Sequence, residues 1–332
     1  MKIVEYQEYG PPEVLSIKET QIPVPAVDEI RIHTRASTVT SGDWRARSLE
    51  MPPGFAPLAR LIFGFTQPRQ PVLGSEIAGV VDAVGDSVTK FKVGDRVFAF
   101  FGSKLGCYTE YKCCSENAIV CHIPGNLNFE EAAVLPFGGH TVLHFFRKSD
   151  LKAGESILIN GASGGVGSTA IQIAKVLNLN VTAVCSSRNL EMVKHLGADR
   201  VLDYDKEDFA NLGDKFDVIM DTVGTAPYSR AKHALKAGGR LLLVLGKMSD
   251  MFRSLWVSKI SNHAIIAGAA EERLEDIQEL ANLANSGQLK PFIDRSFSIE
   301  DVVEAHRYVD TGRKRGNVAL LWPGNTHHPR SI

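Results

Sequence analysis

The sequence predicts an α/β protein of two domains, a compact antiparallel β-barrel followed by a doubly wound parallel sheet. Three observations carry this. From Met1 to about Pro124, short apolar alternations such as EIRIHTRAS, IAGVVDAVG and DRVFAFF sit between turn signals, among them Gly10-Pro11-Pro12, Pro23-Val24-Pro25 and Gly94-Asp95. From about Asn126 to Ala269 the rhythm changes to nearly unbroken apolar strands separated by amphipathic helices, the pattern of a parallel sheet covered on both faces. A glycine-rich loop joins the first of these strands to the first helix.

Taken in order, the barrel stretch has one interruption, MPPGFAPLARLIFGFTQPRQP (Met51 to Pro71), apolar, aromatic and broken by prolines, which reads either as a lid or as a plug of core. Cys107, Cys113, Cys114 and Cys121 lie close together, but without the paired knuckle spacing of zinc sites. Their segment also reads as strand, where Cys113 and Cys114 point to opposite faces. The parallel strands are SILIN, VTAVC, RVLD, FDVIMD, RLLLVLG and AIIAG. Between the first two, Val166, Ala170, Ile173, Ala174 and Leu177 share one helical face. The tail holds a helix from Glu271 to Asn285 and a second in FSIEDVVEAHRYVDTG, with Ser298 as N-cap and Asp301 at the capping-box position. A last strand, NVALLW, follows.

The 332 residues are 44% hydrophobic and 23% charged, ordinary for a globular protein, and suffice for two domains. A net charge of -1 argues against nucleic acid or an anionic membrane as the main partner, although a local patch can hide in a balanced total. The first residues carry neither a signal-peptide nor a transit pattern, and no apolar run reaches membrane-span length. Five cysteines without a secretion signal imply free thiols in a reducing compartment, so a cytoplasmic protein is expected.

The loop Ser163-Gly164-Gly165-Val166-Gly167 follows strand SILIN and opens a helix, the context a dinucleotide fingerprint requires. Without Cβ atoms the backbone approaches a pyrophosphate closely, and the helix N-terminus offers free N–H groups with partial positive charge. At the end of the second strand an NAD site places Asp or Glu on the ribose. This chain has Cys185, Ser186, Ser187 and Arg188, hydroxyls and a guanidinium that suit the 2′-phosphate of NADPH. The bland alternative makes Arg188 a solvated helix-start residue.

Four segments then carry a resemblance over essentially the full length: PVLGSEIAGVVDAVGDSVTKFKVGDRV, AAVLPFGGHTVL, NGASGGVG and KPFIDRSFSIEDVVEAHRYVDTGRKRGNVAL. The chain resembles the medium-chain dehydrogenase/reductase superfamily. The resemblance implies a GroES-like barrel (residues 1–125, completed by 270–332) beside a Rossmann domain (126–269), with the site in the cleft between them. Zinc alcohol dehydrogenases of this superfamily bind their catalytic metal through Cys, His and Cys, where this chain has Thr40, Ser75 and Phe137. These are poor zinc ligands, so the chain looks like the zinc-independent quinone oxidoreductase branch.

Without a metal, conjugated acceptors are favoured, because hydride addition to a quinone or an α,β-unsaturated carbonyl (an enone) leaves an anion whose charge is already delocalised. The resemblance implies that Thr141 orients the nicotinamide, that Leu245 and Gly246 pass beneath its ring, that Tyr204 flanks the 2′-phosphate, and that Asn317 stands where many relatives have Lys. Thr40 and Asp43 are the candidate polar groups near the reacting carbon, Asp43 reading equally as a turn residue. His140 is a candidate proton donor or a structural residue, and Asp221 a structural strand end. The rivals are a zinc-independent NADP-dependent alcohol or aldehyde dehydrogenase and an NADPH-binding redox sensor without turnover. The resemblance also allows a homodimer.

Overall fold

The structure, a computed structural model, describes residues 1–323. Strands β1 (Lys2–Glu5) and β2 (Ser16–Glu19) form a small antiparallel pair. The barrel's long strand is β3 (Glu29–Thr38), followed by helices α1 (Ser41–Ser48) and α2 (Ala56–Phe63) and strands β4 (Glu76–Val84), β5 (Arg96–Phe100), β6 (Tyr111–Ser115) and β7 (Val120–His122). β3 pairs antiparallel with β4 and β6, β4 with β5, and β5 with β7. The alternation in β3 turns Ile30, Ile32, Thr34 and Ala36 into the barrel, as the two-residue strand period requires.

Helices α3 (Phe129–Ala133) and α4 (Leu135–Ser149) lead away from the barrel strands, although α3 still packs on β3 and β4. Six parallel strands follow with their helices: β8 (Ser156–Asn160), α5 (Gly165–Val176), β9 (Asn180–Cys185), α6 (Leu190–His195), β10 (Arg200–Asp203), β11 (Phe216–Asp221), α7 (Tyr228–Ala231), β12 (Leu235–Leu243), α8 (Met248–Ile260) and β13 (Ala264–Ala267). Their order is β10-β9-β8-β11-β12-β13. The winding reverses beside β8, and the crevice at the carboxyl ends of β8 and β11 is where such sheets bind ligands.

The tail adds α9 (Leu274–Asn285), β14 (Ile293–Ser298), α10 (Val302–Asp310) and β15 (Asn317–Leu321). β15 pairs antiparallel with β3 and parallel with β14, so the tail completes a seven-stranded sheet begun some 280 residues earlier. Two local expectations change. α9 starts at Leu274 rather than Glu271, and Ser298 makes no cap bond: its hydroxyl bonds Glu300, and a short 3-10 turn at Ile299–Asp301 precedes α10.

Met51–Pro71 is not a plug of core. Its helix α2 buries only Ala59, and no residue of the segment lines the cleft. The cysteines are free; Cys113 is half-buried and Cys114 buried, on opposite faces of β6. Burial pushes the Cys113 and Cys121 thiols up to about 11. Among the described residues no helix is long and apolar enough to cross a membrane.

Candidate active site

A cleft of about 990 Å³ runs between the two sheets, walled by β3, α1 and α4 on one side and by the β8–α5 loop, the end of β9 and the end of β12 on the other. Ser163, Gly164, Gly165 and Val166 all line it. The glycines of this loop do different work. Gly161 has φ +78, the left-handed turn that glycine favours. A Cβ on Gly164 would meet nothing nearer than Gly161 O at 3.6 Å, so the space beside it lies open to a ligand. A Cβ on Gly167 would sit 2.3 Å from Gly161 O, so Gly167 serves close helix–strand packing and does not line the cleft. No side chain caps the N-terminus of α5, and its dipole favours an anion there.

The barrel's tail reaches over this loop. Gly316 N donates to Ser163 O at 2.7 Å, and Asn317 sits so close to Gly165 that a Cβ there would meet its Oδ1 at 2.5 Å. Half-buried Lys314 lines the cleft beside it, its Nζ donating to Gly316 O at 2.6 Å, and burial lowers its pKa to about 8. Sequence reading missed Lys314, since a lysine in a basic turn looks like any surface lysine until the fold places it.

At the end of β9, Ser186 is buried and Arg188 exposed, and both line the cleft, as does the exposed Tyr204. Ser187 is exposed and stands outside the wall. A residue not singled out before, Asn189, ties the two halves of this corner: its Nδ2 donates to Ser163 Oγ at 3.0 Å and to Ser186 Oγ at 3.3 Å. Leu245 lines the cleft beyond the end of β12, whereas Gly246 lies behind the wall.

On the barrel side the candidates separate. Thr40 and Thr141 line the cleft. The Thr141 hydroxyl donates to Phe137 O at 2.8 Å, leaving its oxygen free to accept. Asp43 does not line the cleft; it is fully buried, and its carboxylate accepts from Thr40 Oγ (2.6 Å), Thr40 N (2.8 Å) and Gly74 N (3.1 Å). Thr40 and Asp43 therefore form the capping box of α1, and Asp43 acts on the cleft only by holding Thr40. Burial raises the Asp43 pKa to about 6 against these bonds.

His140 lines the cleft, but its Nδ1 lies 3.0 Å from Pro136 O, an acceptor only, so the neutral ring carries its proton there and not on Nε2. Burial also lowers its pKa, so it packs against Phe100 as a structural residue. Asp221 is structural as well, its carboxylate accepting from Asn160 Nδ2 and from the amides of Val223, Gly224 and Ala226.

Two further charged groups, on α1 and β4, stand where sequence reading placed none. Arg45 lines the cleft, stacked on Trp44 at 4.9 Å and bonded to Ser41 O at 3.3 Å, with no carboxylate partner among the described residues; burial lowers its pKa. Glu76 lies directly behind the wall. Its Oε1 accepts from the hydroxyl of cleft-lining Thr38 at 2.6 Å, and its Oε2 from Phe137 N at 2.7 Å, at the start of α4. Burial raises the Glu76 carboxyl to about 8, with Asp43 adding to the rise and Lys314 opposing it.

Comparison with known proteins gives this geometry a context. Residues 26–142 match the family described as alcohol dehydrogenase GroES-like domain, and residues 196–320 the family described as zinc-binding dehydrogenase. A 2-methylene-furan-3-one reductase of Solanum lycopersicum is 34% identical, over 96% of this chain and 79% of its own. The chain belongs to the medium-chain dehydrogenase/reductase superfamily, in its quinone oxidoreductase-like branch. A quinone oxidoreductase of Pseudomonas aeruginosa is 31% identical over 96% of this chain and 99% of its own. The solved quinone oxidoreductase of Coxiella burnetii superposes with a TM-score of 0.85 at 28% identity, covering 97% of this chain and 99% of that one. The Escherichia coli quinone oxidoreductase, solved as a complex with NADPH, superposes with a TM-score of 0.81 at 25% identity, covering 97% of this chain and 100% of that one. The protein is thus an oxidoreductase of a family that uses a nicotinamide cofactor.

Proposed function

We propose that this medium-chain reductase is NADPH-dependent and zinc-independent, and that it delivers hydride to a quinone or an α,β-unsaturated carbonyl. The observation that carries the reading is the chemistry at the acceptor end of the cleft. The Thr40 hydroxyl is committed to Asp43, Phe137 offers only a phenyl ring, and Ser75 is buried behind the wall. Among the described residues no group of three His, Cys, Asp or Glu side chains is arranged to hold a metal. What the wall does offer is a guanidinium without a carboxylate partner, Arg45, and a hydroxyl backed by a protonatable carboxyl, Thr38 on Glu76.

The open space at Gly164, the uncapped start of α5 and the hydroxyl and guanidinium of Ser186 and Arg188 fit a dinucleotide with a 2′-phosphate. Ser163, Gly164, Gly165 and Val166 would hold its pyrophosphate, with Lys314 and Asn317 closing over them from the barrel. Tyr204 would flank the adenosine phosphate, and Thr141 and Leu245 would orient the ring. When bound, the reduced nicotinamide supplies the hydride.

The chain's own residues then manage charge. Hydride added to the β-carbon of an enone sends an electron pair to the carbonyl oxygen, and Arg45 stabilises the resulting enolate. With Glu76 protonated, the state its raised pKa favours at neutral pH, the 2.6 Å bond runs from the carboxyl to Thr38 Oγ. The carboxyl passes its proton along it while Thr38 gives its own to the enolate, which balances the reduction as one hydride and one proton. Solvent reprotonates Glu76 after product leaves. Turnover on a panel of quinones, enones and simple alcohols with each cofactor tests the reading. Oxidation of NADPH only at background rates with every acceptor would favour the sensor alternative, and activity confined to alcohols would favour the dehydrogenase.

A further inference from the structure

Helix α2 wears its apolar face outward. Leu58, Leu61 and Ile62, spaced three and four apart on one side of α2, are 42%, 55% and 50% exposed, while Ala59 on the other side is 4% exposed. Phe65, just past the Gly64 cap, is 59% exposed. A soluble surface scatters such residues singly, and a stripe of them marks an interaction site. Helix α8 adds Met251 and Trp256, 40% and 69% exposed. The two segments touch, since Met248 N donates to Pro53 O at 3.3 Å.

Both segments spring from the cleft wall. Trp44 and Arg45 of α1 line the cleft before the chain turns into Met51–Pro71, and Leu245 lines it before α8 begins at Met248. Each segment of the apolar surface therefore begins a few residues along the chain from a wall of the cleft.

Its charge decides what covers it. From Met51 to Pro71 the chain carries Arg60 and Arg69, both exposed, and no Asp or Glu; Glu50 stands just before. In the first half of α8, Arg253 is exposed and the one acid, Asp250, is buried and bonded to Lys247 N. A two-fold contact of this surface with a second copy would set these arginines against each other without carboxylates to pair them. An anionic lipid surface satisfies both features, taking the apolar stripe into its acyl boundary and the arginines among its phosphates.

We propose that α2 and α8 form a docking surface for an anionic bilayer. This goes beyond the proposed reaction, and its test does not depend on it, because the readout is binding.

The experiment is cosedimentation of the full chain with vesicles of phosphatidylcholine and phosphatidylglycerol in equal parts, against vesicles of phosphatidylcholine alone. The expected result is binding to the anionic vesicles that weakens with added salt. Burying a Leu or Ile side chain favours partitioning by about tenfold or more, so Leu61→Ser with Ile62→Ser should weaken binding by roughly a hundredfold. These positions are exposed, so the variant should fold, and its turnover of a water-soluble acceptor should match the parent's. Equal, weak binding of parent and variant to both vesicle types would overturn the proposal. So would a parent oligomer that ignores vesicles and dissociates in the variant, which would assign the stripe to a second copy.

Discussion

Glu76 Oε1 lies 2.6 Å from Thr38 Oγ, so a buried carboxyl raised to about 8 stands one hydroxyl behind the cleft. The same carboxyl receives Phe137 N at the start of α4, which makes it a brace between β4 and α4 as well. The two roles separate by pH.

Glu76→Gln tests them. Glutamine keeps an oxygen for Phe137 N and an amide for Thr38, so the brace survives and the transferable proton is lost. Enone reduction by the parent should fall as pH rises through about 8, and the variant should lack that limb and turn over roughly a hundredfold more slowly below it. Lys314 lowers the Glu76 value, so Lys314→Met should move the limb to higher pH rather than abolish it. Stability follows the same proton. A carboxyl raised from 4.5 to about 8 holds a proton in the folded state that the unfolded chain releases, so its contribution is full below 4.5 and is lost as pH rises through about 8. The Tm of Glu76→Gln should therefore gain on the parent's as pH rises across that window. A parallel pair of Tm curves, with an unchanged activity profile, would make Glu76 a brace only.

The glycine loop yields a paired prediction. Gly164 has φ -80 and open space, so Gly164→Val should fold like the parent and lose cofactor affinity, since the branched side chain fills the pyrophosphate position. Gly167→Val places a Cβ 2.3 Å from a backbone oxygen and should instead lower Tm or prevent folding. Calorimetry and NADPH fluorescence titration check both. A Gly164→Val protein that binds NADPH as tightly as the parent would reduce the loop to a turn.

The contrast between these glycines shows how far the residues could be read in advance. The parallel strands were legible because their apolar runs are unbroken, and the sheet buries almost every residue of SILIN and FDVIMD. The fate of Thr40 was legible too, and missed: Thr40-Ser41-Gly42-Asp43 is a capping-box pattern, which commits the hydroxyl before any substrate arrives. Arg45, Lys314 and Glu76 were not legible. Each acquires meaning only from what the fold sets against it: a stretch of wall where, among the described residues, no carboxylate pairs with Arg45, the glycine loop, the hydroxyl of Thr38. Strand order brings these together from residues that lie far apart in the chain.

Metal content follows from the donor set. With Thr40, Ser75 and Phe137 at the positions of the zinc ligands of related alcohol dehydrogenases, the dialysed protein should carry less than about one zinc per ten chains. The four barrel cysteines do not offer a second site, since Cys113 and Cys114 lie on opposite faces of β6 and, among the described residues, no three His, Cys, Asp or Glu side chains come together to hold a metal. Elemental analysis checks this; stoichiometric zinc, with activity lost to a chelator, would refute it.

Cofactor choice rests on the corner where Asn189 ties Ser163 to Ser186. That tie fixes the spacing between the pyrophosphate loop and the residues that would meet the 2′-position. A 2′-phosphate carries nearly two negative charges at neutral pH. Ser186 can donate a hydrogen bond to it, and Arg188 a charge-assisted one. Arg188 is exposed, so solvent screening trims its contribution, and Arg188→Ala should weaken NADPH by roughly tenfold. NADH lacks the phosphate and should bind the variant as it binds the parent. Ser187, outside the cleft wall, should be replaceable by Ala with little effect on either cofactor. Ser186→Asp reverses the sign, repelling the phosphate and offering the 2′-hydroxyl of NADH an acceptor. The measurement is kcat/KM for both cofactors across the parent and these three variants. Equal losses for NADPH and NADH in Arg188→Ala would make the arginine structural, and a parent that prefers NADH would overturn the NADPH assignment while leaving the dinucleotide cleft in place.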